Sequence, residues 1–63
     1  MIEKREMKVG LEVVMHPPEY DALKGKIIGM DDLWATIRWE DGETTTDFQD
    51  ELQVSSFIRV WAD

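Results

Sequence analysis

Ile27-Ile28-Gly29-Met30-Asp31-Asp32-Leu33-Trp34-Ala35-Thr36-Ile37-Arg38-Trp39 runs into Glu40-Asp41-Gly42-Glu43 and three threonines at 44–46. Two β-forming segments flank an Asp-Asp corner, and the second is closed by Asp41-Gly42. Aspartate followed by glycine suits a two-residue hairpin turn whose central residues need positive φ, and the flanking β-formers supply its strands. A small antiparallel barrel or sheet is the expected architecture. Leu33, Ala35, Ile37 and Trp39 share one face of the later strand, and Trp34, Thr36 and Arg38 share the other.

Working outward, Val9 to Met15 reads as a first strand with Val9, Leu11, Val13 and Met15 of one parity. Gly10 within it suggests a bulge or bend. His16-Pro17-Pro18 ends it, since proline donates no ladder hydrogen bond and holds its predecessor extended. A loop is expected from Glu19 to Lys24, a second strand from Gly25 to Met30 and a third from Leu33 to Trp39. Glu43 to Phe48 makes a fourth, rich in threonine. Phe48 to Glu51 reads as a tight turn or a single 3₁₀ turn leading into Leu52-Gln53-Val54.

The two ends are less regular. Residues 1–8 are mostly charged and are expected to fray or to form a short lead-in strand. Near the other end, Phe57, Val60 and Trp61 have helical spacing, but Phe-Ile-Arg-Val-Trp is a strand composition, and composition favours a strand. If Leu52, Val54, Ile58 and Val60 keep one parity, Phe57 and Trp61 point the other way. They then need cover from the N-terminal segment or from a second subunit.

Sixty-three residues make one domain, 1–63, with its core over about residues 8–54 and a C-terminal strand or extension at 55–63. So short a chain buries only roughly 60% of its unfolded surface. Without cysteine it has neither a disulfide nor a thiolate metal site to staple it. Fourteen acidic residues against seven basic ones give a net charge of −7, a field that opposes duplex nucleic acid. No apolar run approaches the ~20 residues that span a bilayer. The charged Met-Ile-Glu-Lys-Arg-Glu start lacks the apolar stretch of a secretory signal. A cytoplasmic location is the expectation.

The order Val9-Gly10-x-x-Val13, Gly25-x-Ile27, Ile37-x-Trp39-x-Asp41-Gly42, Asp50-x-Leu52 resembles the Tudor and KOW groups of SH3-like small barrels. The resemblance covers about residues 8–54 and implies an all-β, five-stranded antiparallel SH3-like barrel. Tudor domains hold methylated lysine or arginine in an aromatic cage with nearby acids. On that pattern Trp39 matches a cage aromatic, Asp41 an acid in the turn beyond it, and Tyr20 an aromatic of the first loop. The fourth strand departs from it, with threonines at 44–46 where a cage aromatic often stands. KOW-type barrels bind RNA or ribosomal and polymerase proteins, and the acidity here argues against the RNA version.

Catalytic constellations are hard to assemble. His16, the single histidine, stands beside two prolines, and no triad spacing accompanies it. The acid pairs 31–32, 40–41 and 50–51 lack the alternating acids and mid-loop glycine of a calcium loop. They read as turn residues bonding local amides. Gly25-Lys26-Ile27-Ile28-Gly29 lacks the Gly-Lys-Ser/Thr ending of a phosphate loop. No enzyme activity, metal or cofactor is expected.

The expected function is that of a non-catalytic binding or adaptor module. Its candidate binding residues are Tyr20, Trp34, Arg38, Trp39, Glu40, Asp41 and Glu43. Acids around aromatics suit a protein partner presenting a basic or extended peptide. Core packing is the first reading of Trp39, whereas Trp34 should be partly exposed, with Arg38 stacked on it. Two other classes stay open. One is a nucleic-acid-related accessory protein, either an acidic mimic or a KOW-like RNA binder. The other is a structural homo-oligomer, such as a homodimer through Phe57 and Trp61.

Overall fold

The computed structural model describes residues 2–16 and 22–61. Five strands form one antiparallel sheet: β1 (Glu12–Met15), β2 (Leu23–Met30), β3 (Trp34–Trp39), β4 (Thr44–Phe48) and β5 (Ile58–Val60). Their spatial order is β4-β3-β2-β1-β5. Among the described residues one helix, α1 (Gln49–Val54), connects β4 to β5, and a 3₁₀ turn at Lys4–Glu6 precedes β1. The protein is therefore all-β apart from short helical connections. Among the described residues no ladder joins β4 to β5, so the sheet is not closed by hydrogen bonds.

The core lies on one face of the sheet, where Val13, Ile27, Ala35, Ile37 and Trp39 are buried. Alternation along β3 places Ala35, Ile37 and Trp39 there, as the period-two pattern requires. A bulge makes β2 fit: Ile27 pairs with Ile37, but Gly29 rather than Ile28 pairs with Thr36. The extra residue reverses the parity of the rest of β2, so Met30 pairs with Ala35 on the core side.

Several boundaries differ from expectation. The first strand starts at Glu12, not Val9, because Gly10 adopts φ 97° and Lys8–Leu11 closes a turn with Leu11 N–H on the Lys8 carbonyl (3.1 Å). Val9, outside the ladder, is 61% exposed. The second strand begins two residues early, at Leu23.

The turn after Trp39 is a three-residue loop, Glu40–Gly42, rather than a two-residue Asp41-Gly42 turn. Gly42 donates to the Trp39 carbonyl (3.0 Å), and Trp39 donates to the Glu43 carbonyl (2.7 Å). Only Gly42, at φ 95°, has positive φ there; Asp41 does not, so a type I turn and then a left-handed glycine replace the mirror-image turn.

Larger corrections concern the ends. The tight turn expected after Phe48 continues as the helix α1, which buries Gln49 and Leu52, three residues apart on one face. That rotation leaves Val54 exposed, so it does not share a core parity with Leu52, Ile58 and Val60. Residues 2–8 neither fray nor add a strand. Ile2 and Met7 are core residues, and Ile2 N–H bonds the Leu52 carbonyl at 3.0 Å. The final segment is a strand as expected, paired with β1 through Val13–Val60, Val14–Arg59 and Met15–Ile58.

Candidate functional site

Trp34 begins β3 at the Asp31–Asp32 corner, on the face opposite the core. It is half-buried, and its ring stacks on that of Phe48, with centroids 3.8 Å apart and planes at 24°. Phe48 is its cross-strand partner in β4 and is itself 41% exposed. Phe48, not Arg38, is therefore the ring's neighbour: Arg38 stands four residues along β3, roughly 13 Å away at strand rise. Leu33, 61% exposed, extends the apolar surface at this corner.

Hydrogen bonds hold the corner rigid. The Asp31 carboxylate accepts from the backbone N–H groups of Leu33 (2.9 Å) and Trp34 (2.7 Å). These two donors hold its carboxyl below the usual value of 3.8 and keep it ionised. Asp31 N–H donates to the Trp34 carbonyl (3.0 Å). From α1, the buried Gln49 donates its Nε2 to the carbonyls of Asp31 (2.6 Å) and Trp34 (3.2 Å), while its backbone N–H reaches the Leu33 carbonyl (2.9 Å). Two shallow grooves border Trp34, one lined with Asp31, Asp32 and Leu33, the other with Asp31, Met30 and Thr36. The result is an aromatic platform on a fixed acidic turn.

Replacing Gln49 by leucine keeps the volume but leaves those carbonyls without their side-chain donor. A loss of about 1–3 kcal/mol in unfolding free energy is expected. Urea denaturation checks it, and a loss below about 0.5 kcal/mol, the range of a neutral surface change, would show that the brace is unimportant.

Trp39 belongs to the other face. Its ring is 4% exposed and lies against Gly25. Its indole N–H donates to Thr45 Oγ1 at 2.8 Å, and that hydroxyl donates to Asp47 Oδ2 at 3.2 Å. The core reading of Trp39 holds, and a buried ring has no face to offer a cation as a cage wall would. Trp34 and Trp39 thus do not meet in one patch. Glu40, Asp41 and Glu43 are exposed on the β3–β4 loop at the far end of β3 from Trp34, and Asp41 accepts from Glu43 N–H (2.9 Å). Asp31 and Asp41 therefore do bond local amides as their turn positions suggested.

Arg38 is exposed on the outer face, opposite Lys26. Tyr20 lies outside the described residues. Phe57 is exposed, whereas Trp61 is half-buried with the Lys24 ammonium 3.9 Å from its ring centroid. No second subunit is needed to cover that part of the Trp61 ring. Among the described residues no group of three or more His, Cys, Asp or Glu side chains could hold a metal ion, and no helix is long and apolar enough to cross a membrane.

Phe48, Gln49, Asp31, Asp32 and Leu33 are the members of this corner that sequence reading did not select. Counting the ladder back from a three-residue loop puts Phe48 opposite Trp34, as observed; a two-residue turn puts Gln49 there instead. Loop length was the missing signal. Comparison of the chain with protein-family models, with curated proteins and with solved structures gave no match.

Proposed function

We propose that this chain is a non-catalytic binding or adaptor module, built as an SH3-like barrel and acting in the cytoplasm, that captures an extended, basic segment of a protein partner. The strand order β4-β3-β2-β1-β5, with a short helix between β4 and β5, supports the barrel reading. A likeness to the Tudor and KOW groups is part of the proposal at the level of fold, since such barrels host many functions.

The observation that carries the functional reading is the stacked Trp34–Phe48 pair on a braced acidic corner. Rigid, partly exposed aromatics lose little entropy on binding and recur as interface hot spots. Asp31 and Asp32 line the groove beside the indole. A lysine or arginine of the partner would lie over the open outer face of one ring of the platform while its charge meets these carboxylates. An extended backbone suits the shallow grooves on either side of Trp34.

Selection of peptides from a random library on the immobilised protein tests this. Enriched sequences should carry Lys or Arg. Trp34→Ala should weaken a selected peptide by about 30-fold or more, the range of a hot spot of at least 2 kcal/mol. Asp32→Asn should weaken it less, with both variants folded by circular dichroism. Undiminished binding by folded Trp34→Ala would sink the proposed site.

A further inference from the structure

The outer face of the sheet away from the aromatic corner has the opposite chemistry. Lys24, Lys26, Arg38 and Arg59, four of the seven Lys and Arg in a chain of net charge −7, are exposed there. Ladder register places them in two adjoining rows. One row runs Thr44, Arg38, Lys26, Glu12, and the other runs Lys24, Val14, Arg59 with Glu40 beside Lys24. Lys24, Lys26 and Arg38 line a single shallow groove together with Gly25, Glu12 and Glu40. Among the described residues none of the four cations is in an ion pair.

Lys26 and Arg38 stand directly opposite one another across β2 and β3. Like charges at that spacing repel and destabilise a ladder. Folding gains nothing from this pair, and a carboxylate at position 38 would remove the repulsion, whereas one at position 26 would face Glu12. The threonines at 36, 44 and 46 on the same face add hydroxyl donors.

We propose that this cationic face is a second docking surface, whose occupant is an acidic, extended segment of a protein partner. Its carboxylates lie along the groove between Lys24, Lys26 and Arg38. Charge complementarity selects the sign of the ligand, and cations spread over two adjoining rows of the ladder suit an extended chain. A nucleic acid fits less well. Its strand would run past Glu12 and Glu40 into the field of a −7 domain. It would also want aromatic faces for base stacking along the groove, yet Trp61 has Lys24 over its ring, and Trp34 stands roughly 13 Å along β3 from Arg38 at strand rise. A short acidic segment meets mainly the local cations, because at physiological salt the more distant acids are screened beyond about 8 Å.

The test is fluorescence anisotropy with three labelled probes of equal length: a Glu/Asp-rich peptide, a Lys-rich peptide and a single-stranded oligothymidylate. At low salt the acidic peptide should bind more tightly than the oligonucleotide and should be released by added salt. Arg38→Glu should weaken it by about tenfold or more, a range set by the loss of one charge contact and the gain of a repulsive one. The same substitution places opposite charges across the ladder, so its melting temperature should equal or exceed that of the parent. That result separates a binding role from a structural one. Trp34→Ala should leave acidic-peptide binding unchanged, so failure here and failure at the aromatic corner are distinguishable. Absence of acidic-peptide binding at low salt, equal binding by Arg38→Glu, or tighter binding of the oligonucleotide would each overturn the proposal.

Discussion

Gly25→Ala is expected to lower the unfolding free energy by about 2 kcal/mol, with Gly25→Val worse. Overpacking a core costs about 1–3 kcal/mol, sometimes more. The first methyl group at this position would stand 2.6 Å from Trp39 Cε3, 2.9 Å from Trp39 Cζ3 and 2.9 Å from Ile37 Cγ2. Ile37 is fully buried and Trp39 nearly so, so neither side chain can step aside into solvent. A gain of about 0.4–1 kcal/mol from the stiffer unfolded chain opposes this, and three simultaneous clashes outweigh it. For 63 residues the whole stability is of the order of 3–9 kcal/mol, so the loss is a large fraction. Urea denaturation monitored by tryptophan fluorescence measures it. A cycle with Trp39→Leu identifies the cause: removing the indole should relieve the alanine and leave a coupling of about 1–2 kcal/mol. An unchanged midpoint for Gly25→Ala would mean that the indole does not lie on this glycine.

Ile2→Ala should cost about as much or more, in the range of about 2–5 kcal/mol for truncating a buried isoleucine. Ile2 has no exposed surface, and its N–H holds the carbonyl of Leu52, the buried leucine of α1. The substitution both opens a cavity and loosens the segment that covers the helix. Lys4→Ala, in the exposed 3₁₀ turn two residues on, should stay within about 0.5 kcal/mol. Equal stability of the two variants in chemical denaturation would show that the segment before β1 is not docked on the core.

Both expected losses reflect how a short chain recruits its core. Residues 2–7 look expendable in the sequence, a charged run holding two isolated apolar residues. Periodicity cannot rank Ile2 or Met7 as core, because neither belongs to a repeating pattern; they are buried by a surface formed from Leu52 and the strands. Gln49 was invisible for a related reason. A glutamine after Phe48 reads as a turn residue until its amide is seen to span two carbonyls that lie 15 and 18 positions earlier in the chain.

The candidate site divides in the same way. That Trp34 and Trp39 face opposite sides of a strand is set by their opposite parity, and the structure keeps them apart. That Trp34 is braced, stacked and set on an acidic turn is not set locally, since its partner depends on the register of β4. One residue in the length of the loop after Trp39 exchanges Phe48 for Gln49 opposite Trp34. The grouping of Lys24, Lys26 and Arg38 likewise depends on which residues of β2 and β3 are paired.

Alternation, turn residues and proline by themselves determined that this chain would be all-β, where most of its strands would lie and which face of β3 would be buried. These are local preferences, set by backbone sterics and a period of two, and they survive any arrangement of the strands. Tertiary structure alone decided the loop geometry after Trp39, the parity reversal at Ile28, the burial of Ile2 and the sorting of charge onto one outer face. Each of these depends on free energy shared between segments distant in sequence. A contact of that kind has no signature in either segment until both are in place.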